Sequence, residues 1–86
     1  MPAGEYRVYV LQNAAERFYI GLTDDVPRRV HQHNCGVSRW TKNKGPWVLR
    51  WQSEKLSLAE ARRLENALKR QKGGSGFYNM TGLRRS

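Results

Sequence analysis

The chain is poor in three things, and each shortage closes off a class of protein. It has a single cysteine, Cys35, in 86 residues, so no internal disulfide can form and no Cys/His set has the spacing of a zinc site. With no chemistry of its own in view, Cys35 reads as a structural residue. Long hydrophobic runs are missing too: the longest is Val8-Tyr9-Val10-Leu11, far below the roughly 20 apolar residues that span a bilayer. Acid is scarce, with 7 Asp+Glu against 16 Lys+Arg and a formal charge of +9. That imbalance favours a polyanionic partner, nucleic acid first, although a charged surface also serves solubility. Met1-Pro2-Ala3-Gly4-Glu5 lacks the features of a signal peptide, so a soluble, cytoplasmic protein without a membrane partner is expected. The length predicts one domain over 1–86, with its core over about 6–72 and a glycine-rich link and tail over 73–86.

Tyr6 to Leu11 and Arg17 to Leu22 are rich in β-branched and aromatic residues and flank a short polar stretch, the pattern of a hairpin. A turn centred on Ala14 puts Tyr9 opposite Tyr19 on one sheet face, and Val8, Val10, Phe18 and Ile20 on the other as core. Thr23-Asp24-Asp25 offers capping oxygens ahead of Val26-Pro27, so a helix is expected to start there and to stop at Asn34-Cys35-Gly36. Steps of about 100° cluster Val26, Arg29, Val30 and His33 on one side of it and turn Arg28 and His31 away. Gly36 to Pro46 is a basic loop, and Trp47 to Trp51 alternates as a third strand. Ser57-Leu58-Ala59-Glu60 fits a capping box opening a helix to about Lys72, with an apolar stripe of Leu58, Ala61, Leu64 and Leu68. The fold class expected is therefore α/β, a three-stranded antiparallel sheet flanked by helices. Gly73-Gly74-Ser75-Gly76 should end the last helix, Phe77-Tyr78 should tuck the tail onto the body, and Leu83 to Ser86 should be loose.

Five polar residues break the apolar pattern from inside. Tyr9 and Tyr19 share a sheet face, Arg29 and His33 are i, i+4 neighbours on the inward side of a helix, and Glu65 is the one acid on the oily stripe. Buried polar groups must satisfy one another or a ligand, so their convergence marks a candidate site. Duller readings exist for each: amphipathic strand tyrosines, a structural Arg29–Glu65 ion pair, a satisfied interior imidazole at His33.

Their order and spacing resemble the GIY-YIG nuclease family. Arg7-Val8-Tyr9 stands for the first motif, with Arg7-Val8 in place of Gly-Ile. Tyr19-Ile20-Gly21 keeps the second motif whole, and Arg29, His33 and a helical Glu65 follow, with Thr23 and Asn34 in their usual contexts. The match is to the small stand-alone bacterial members that share this module with the excision-repair endonuclease and the intron-encoded homing endonucleases. The resemblance implies a divalent-metal-dependent endonuclease that hydrolyses phosphodiester bonds in DNA, structure-selective and related to DNA repair. Glu65 would hold Mg²⁺ or Mn²⁺, Tyr9 would contact or deprotonate the attacking water, and His33 would accept its proton. Arg29 would neutralise phosphate charge, and Tyr19 would position the nucleophile. Some relatives carry a lysine after the second motif; Leu22-Thr23 stands there instead, which moves the role of base towards His33. Asn79 is the match to a family asparagine near the carboxyl end.

Arg39, Trp40, Lys42 and Lys44 are the expected nucleic-acid contacts, the cations meeting phosphates and Trp40 stacking or, alternatively, anchoring the loop. DNA over RNA rests on the resemblance, and a protein partner is a further candidate source of specificity. The altered first motif keeps a second reading open, a non-catalytic nucleic-acid-binding protein on the same scaffold.

Overall fold

A computed structural model describes residues 4–37, 41–72 and 74–83. Period-two alternation builds its sheet. β1 (Arg7–Gln12) and β2 (Phe18–Thr23) form the hairpin, and β3 (Val48–Gln52) adds to the other side of β1, giving three antiparallel strands in the order β2-β1-β3. As the central strand, β1 is buried on both faces from Val8 to Leu11. β3 carries a bulge at Arg50, where Val10 pairs with Trp51 but Leu11 with Leu49. It lies at an edge with Val48 and Leu49 exposed.

The hairpin register differs from the expectation. Asn13 closes the turn, accepting from Arg17 N on its side-chain oxygen and from Glu16 N on its carbonyl, and Glu16 takes the left-handed conformation at φ 63°. The turn centre moves to Ala15, so Tyr9 pairs with Gly21 and Tyr19 with Leu11. Tyr9 is therefore not opposite Tyr19. A shift of two residues keeps every side chain on its expected face, as an odd shift would not.

Three helices cover the sheet. α1 (Val26–Asn34) starts at Asp25, whose side chain accepts from Arg28 N at 3.0 Å, with Pro27 in its first turn. α2 (Leu58–Arg70) opens with the capping box: Ser57 Oγ accepts from Glu60 N, and Glu60 Oε1 accepts from Ser57 N. α3 (Ser75–Thr81) was not expected. The tail does tuck, but as a short helix whose Phe77 is fully buried against Phe18, ring centroids 4.9 Å apart. Gly82 ends it at φ 72°.

One face of the sheet is a conventional core, in which Val8, Val10 and Ile20 meet Ala61, Leu68 and Phe77, with Phe18, Leu64 and Leu83 packed around them. Leu83 is thus half-buried rather than loose. Leu58, placed on the stripe by periodicity, is exposed at the first turn of α2. The opposite face buries Tyr9, Leu11, Val26 and Trp47, flanked by Tyr19 and Val30. Cys35, expected to be structural, is exposed just past the end of α1; its backbone N–H caps the helix, while its thiol lies against His31. Among the described residues no helix is long and apolar enough to cross a membrane.

Candidate active site

The second face holds Tyr9, Tyr19 and His33, whereas Glu65 stands on α2, the helix that packs on the first face. Tyr9 is almost wholly buried, and its hydroxyl lies 2.8 Å from His33 Nε2. The other ring nitrogen, Nδ1, is 2.8 Å from Thr41 Oγ1, also buried. The result is a continuous chain of phenol, imidazole and hydroxyl. Tyr19 closes over it, its ring centroid 4.6 Å from that of His33 and 6.3 Å from that of Tyr9.

Gly21 makes this approach possible. It is the register partner of Tyr9, and the Tyr9 ring crosses β2 at the place a side chain would fill: a Cβ on Gly21 would stand 2.6 Å from the Tyr9 hydroxyl and 2.7 Å from Cζ. The glycine of the second motif is there for close packing, the use to which a missing Cβ is suited.

The far end of the chain is fixed by the basic loop. Asn34 clasps Trp47 at two points, donating to its carbonyl at 3.0 Å and accepting from its N–H at 2.6 Å. The Trp47 indole in turn donates to the Thr41 carbonyl at 3.1 Å. Thr41 was missed by the sequence reading, since nothing periodic in a loop marks it. Trp47 was read only as a strand residue.

Arg29 is half-buried and donates to Gln32 at 2.9 Å. Glu65 is about four-fifths buried and pairs with Lys69 at 3.4 Å. The dull alternative of an Arg29–Glu65 ion pair does not occur. Both groups nevertheless act on Tyr9. Burial, then Tyr19, push the Tyr9 phenol up to about 12; the Arg29 guanidinium opposes this, and the Glu65 charge adds to it. The carboxylate from α2 therefore lies within electrostatic reach of the paired rings. Burial, then the Arg29 charge, lower His33 to about 4. At pH 7 both are neutral, a phenol and an imidazole joined by one hydrogen bond.

The remaining residues are less central. Asn79 is exposed on α3, and among the described residues no hydrogen bond or ion pair ties it to this cluster. Lys42 and Lys44 are exposed in the loop; Arg39 and Trp40 lie outside the described residues. No group of three or more His, Cys, Asp or Glu able to hold a metal exists among the described residues. A single carboxylate among the described residues could still hold an ion that completes its shell with water and substrate phosphate. Glu65, the part-buried carboxylate of α2, could serve in this way.

Residues 5–79 match the GIY-YIG catalytic domain. The chain belongs to the GIY-YIG family. Among its relatives, a UPF0213 protein of Aeromonas salmonicida is 42% identical over 71 residues, covering 81% of this chain and 52% of the relative. A UPF0213 protein of Halobacterium salinarum is 37% identical over 65 residues, covering 74% of this chain and 84% of the relative. The solution structure of a UPF0213 protein from Bacillus halodurans has 28% identity and a TM-score of 0.49, over 94% of this chain and 98% of that one. The chain spans about half the length of the first curated relatives it matches.

Proposed function

We propose that this chain is a single nuclease domain that hydrolyses phosphodiester bonds in DNA with a divalent cation, Mg²⁺ or Mn²⁺, and that it is structure-selective and works in DNA repair. The observation that carries the reading is the buried Tyr9–His33–Thr41 chain, with Arg29 and Glu65 both in electrostatic reach of its phenol. A merely structural hydrogen-bond chain has no use for a guanidinium and a carboxylate whose charges both reach its phenol. Such a set suits an attacking water and a phosphate.

The residues divide the work by their protonation. Burial raises the Tyr9 phenol and lowers the His33 imidazole, so proton transfer from Tyr9 to His33 is uphill in the free protein. Tyr9 thus meets the water as a neutral phenol. His33, locked by Thr41, holds its orientation and accepts its proton only as negative charge develops. Arg29 supplies positive charge to the phosphate oxygens, and Tyr19 orients the nucleophile. Glu65 would hold the cation, which when bound supplies Lewis-acid stabilisation of the phosphate and a more acidic water.

The test incubates purified protein with flapped, branched and plain duplex DNA and Mg²⁺ or Mn²⁺. Wild type is expected to cut, and Glu65→Ala and Tyr9→Phe to lose at least about 100-fold in rate, the lower range of acid–base and charge-stabilising contributions. Mn²⁺ binding followed by electron paramagnetic resonance should weaken in Glu65→Gln, independently of turnover. DNA association with no scission of any substrate would leave only the scaffold's binding role. Undiminished cutting by Glu65→Ala would remove the carboxylate from the mechanism.

A further inference from the structure

A second concavity, which shares Tyr19 with the proposed chemistry, wraps the outer edge of β2. It has a volume of about 720 Å³, within the range of small-ligand clefts. It lies between the last turns of α2 on one side and the 41–47 loop on the other. Four cations line it: Arg17 from the hairpin turn, Lys69 and Lys72 from the end of α2, and Lys44 from the loop. Aromatic surface lies between them, with Phe18 and Tyr19 half-buried and Trp47 edge-on to Tyr19 at 6.4 Å. Glu16 contributes a carboxylate at the rim. Tyr19 belongs to this cleft and to the site around Tyr9. Lys69 joins the two again through its ion pair with Glu65.

Edge strands are often guarded by lysines against pairing with another chain, and an exposed charge suffices for that. Here the cations are gathered in a concave space instead. Burial first, then Lys69 and Arg17, hold the Lys72 ammonium below the ordinary lysine range. Among the described residues neither Arg17 nor Lys72 forms an ion pair. Like charges brought together on exposed side chains around one cleft, with aromatic surface between, suit a phosphate carrying a base.

We propose that this cleft is a subsite for an unpaired nucleotide of a single-stranded segment, its phosphate held among Arg17, Lys69 and Lys72 and its base against Tyr19. A duplex keeps its base faces stacked and offers none to Tyr19, so the subsite selects DNA with an unpaired stretch beside the bond to be cut. The proposal rests on the nuclease reading for the cutting, but not for the binding.

The experiment measures fluorescence anisotropy of labelled dT10 and of a ten-base-pair duplex in EDTA, where nothing is cut. Wild type should bind dT10 more tightly than the duplex. Arg17→Gln/Lys72→Met should lose at least about 10-fold on dT10 and flatten the salt slope by about 1.4, the value for two phosphate contacts on a single strand. Duplex binding should fall less. Lys55→Met, exposed just before the start of α2, is the charge control, and circular dichroism verifies the fold. Lys44→Met from the other wall should also weaken dT10 binding. Equal affinity of the double variant and wild type for dT10, or a loss no larger than that of Lys55→Met, overturns the subsite. Selective dT10 binding by a wild type that cuts no DNA with Mg²⁺ would uphold the subsite while removing the nuclease reading.

Discussion

The two faces of the sheet are buried to the same depth by different means. Val8 and Val10 look into a dry core closed by Ala61, Leu68 and Phe77. Tyr9, between them on the same strand, looks into a hydrogen-bonded chain to His33 and Thr41. One residue of alternation separates them, and no buried side-chain polar atom among the described residues lacks a partner. The dry face carries stability that depends on volume and is indifferent to pH. The wet face carries stability that depends on each polar group keeping its mate. Breaking the first should therefore give the largest loss: Phe77→Ala removes a fully buried ring, and urea unfolding should show a loss of about 3–5 kcal/mol at any pH near neutrality.

Acid and base should distinguish the faces next. His33 is depressed from 6.5 to about 4 in the fold, so the unfolded chain binds the proton more readily and stability falls as pH drops from about 6.5 to 4. The shift corresponds to roughly 3 kcal/mol if His33 acts alone. Tyr9 is raised from 10 to about 12, so the unfolded chain gives up its proton first and stability falls as pH rises from about 10 to 12. The stability curve should be flat between these limbs. Tyr9→Phe should abolish the alkaline limb while Phe77→Ala shifts the whole curve down. An acid limb that survives in His33→Gln would assign it to other groups.

A glycine and a hydroxyl make smaller breaks confined to the wet face. Gly21→Ala sets a methyl 2.6 Å from the Tyr9 hydroxyl, so the ring must swing and its bond to His33 must break; urea unfolding should show a loss of about 1–3 kcal/mol. Thr41→Val leaves His33 Nδ1 without its buried partner, again at about 1–3 kcal/mol. The variants should separate in the His33 ring proton resonances: Gly21→Ala perturbs the Nε2 side and Thr41→Val the Nδ1 side.

The difference between the faces also explains what was legible in the sequence. Alternation placed Val8, Val10, Phe18 and Ile20 on one side and Tyr9 and Tyr19 on the other, and a register wrong by two residues left that assignment intact. Helical steps turned Arg29 and His33 inward, and Ser57 with Glu60 announced the start of α2. Periodicity could not reach Thr41, which touches His33 from a loop, or the clasp of Asn34 on Trp47, which depends on tertiary closure. α3 was hidden for another reason. Gly74-Ser75-Gly76 has poor helix propensity, and the helix persists because Phe77 is buried against Phe18. Leu58 shows the opposite error, a residue on the periodic stripe that lies too near the helix start to meet the sheet.

Cys35 offers the mildest perturbation and the sharpest boundary of the wet face. Its lack of any evident chemistry suggested a structural part, and free cysteines are usually buried. Yet it is exposed two residues past His33, with its backbone rather than its side chain finishing α1. Among the described residues its thiol faces His31, at 3.3 Å, on the exposed side of the helix. Cys35→Ser should therefore change stability by less than about 0.5 kcal/mol, a melting shift of no more than about 4 °C in a domain of this size. It should leave the acid limb in place. A larger loss, or a change in that limb, would extend the polar network beyond His33 to the end of the helix and make Cys35 part of what holds the imidazole neutral.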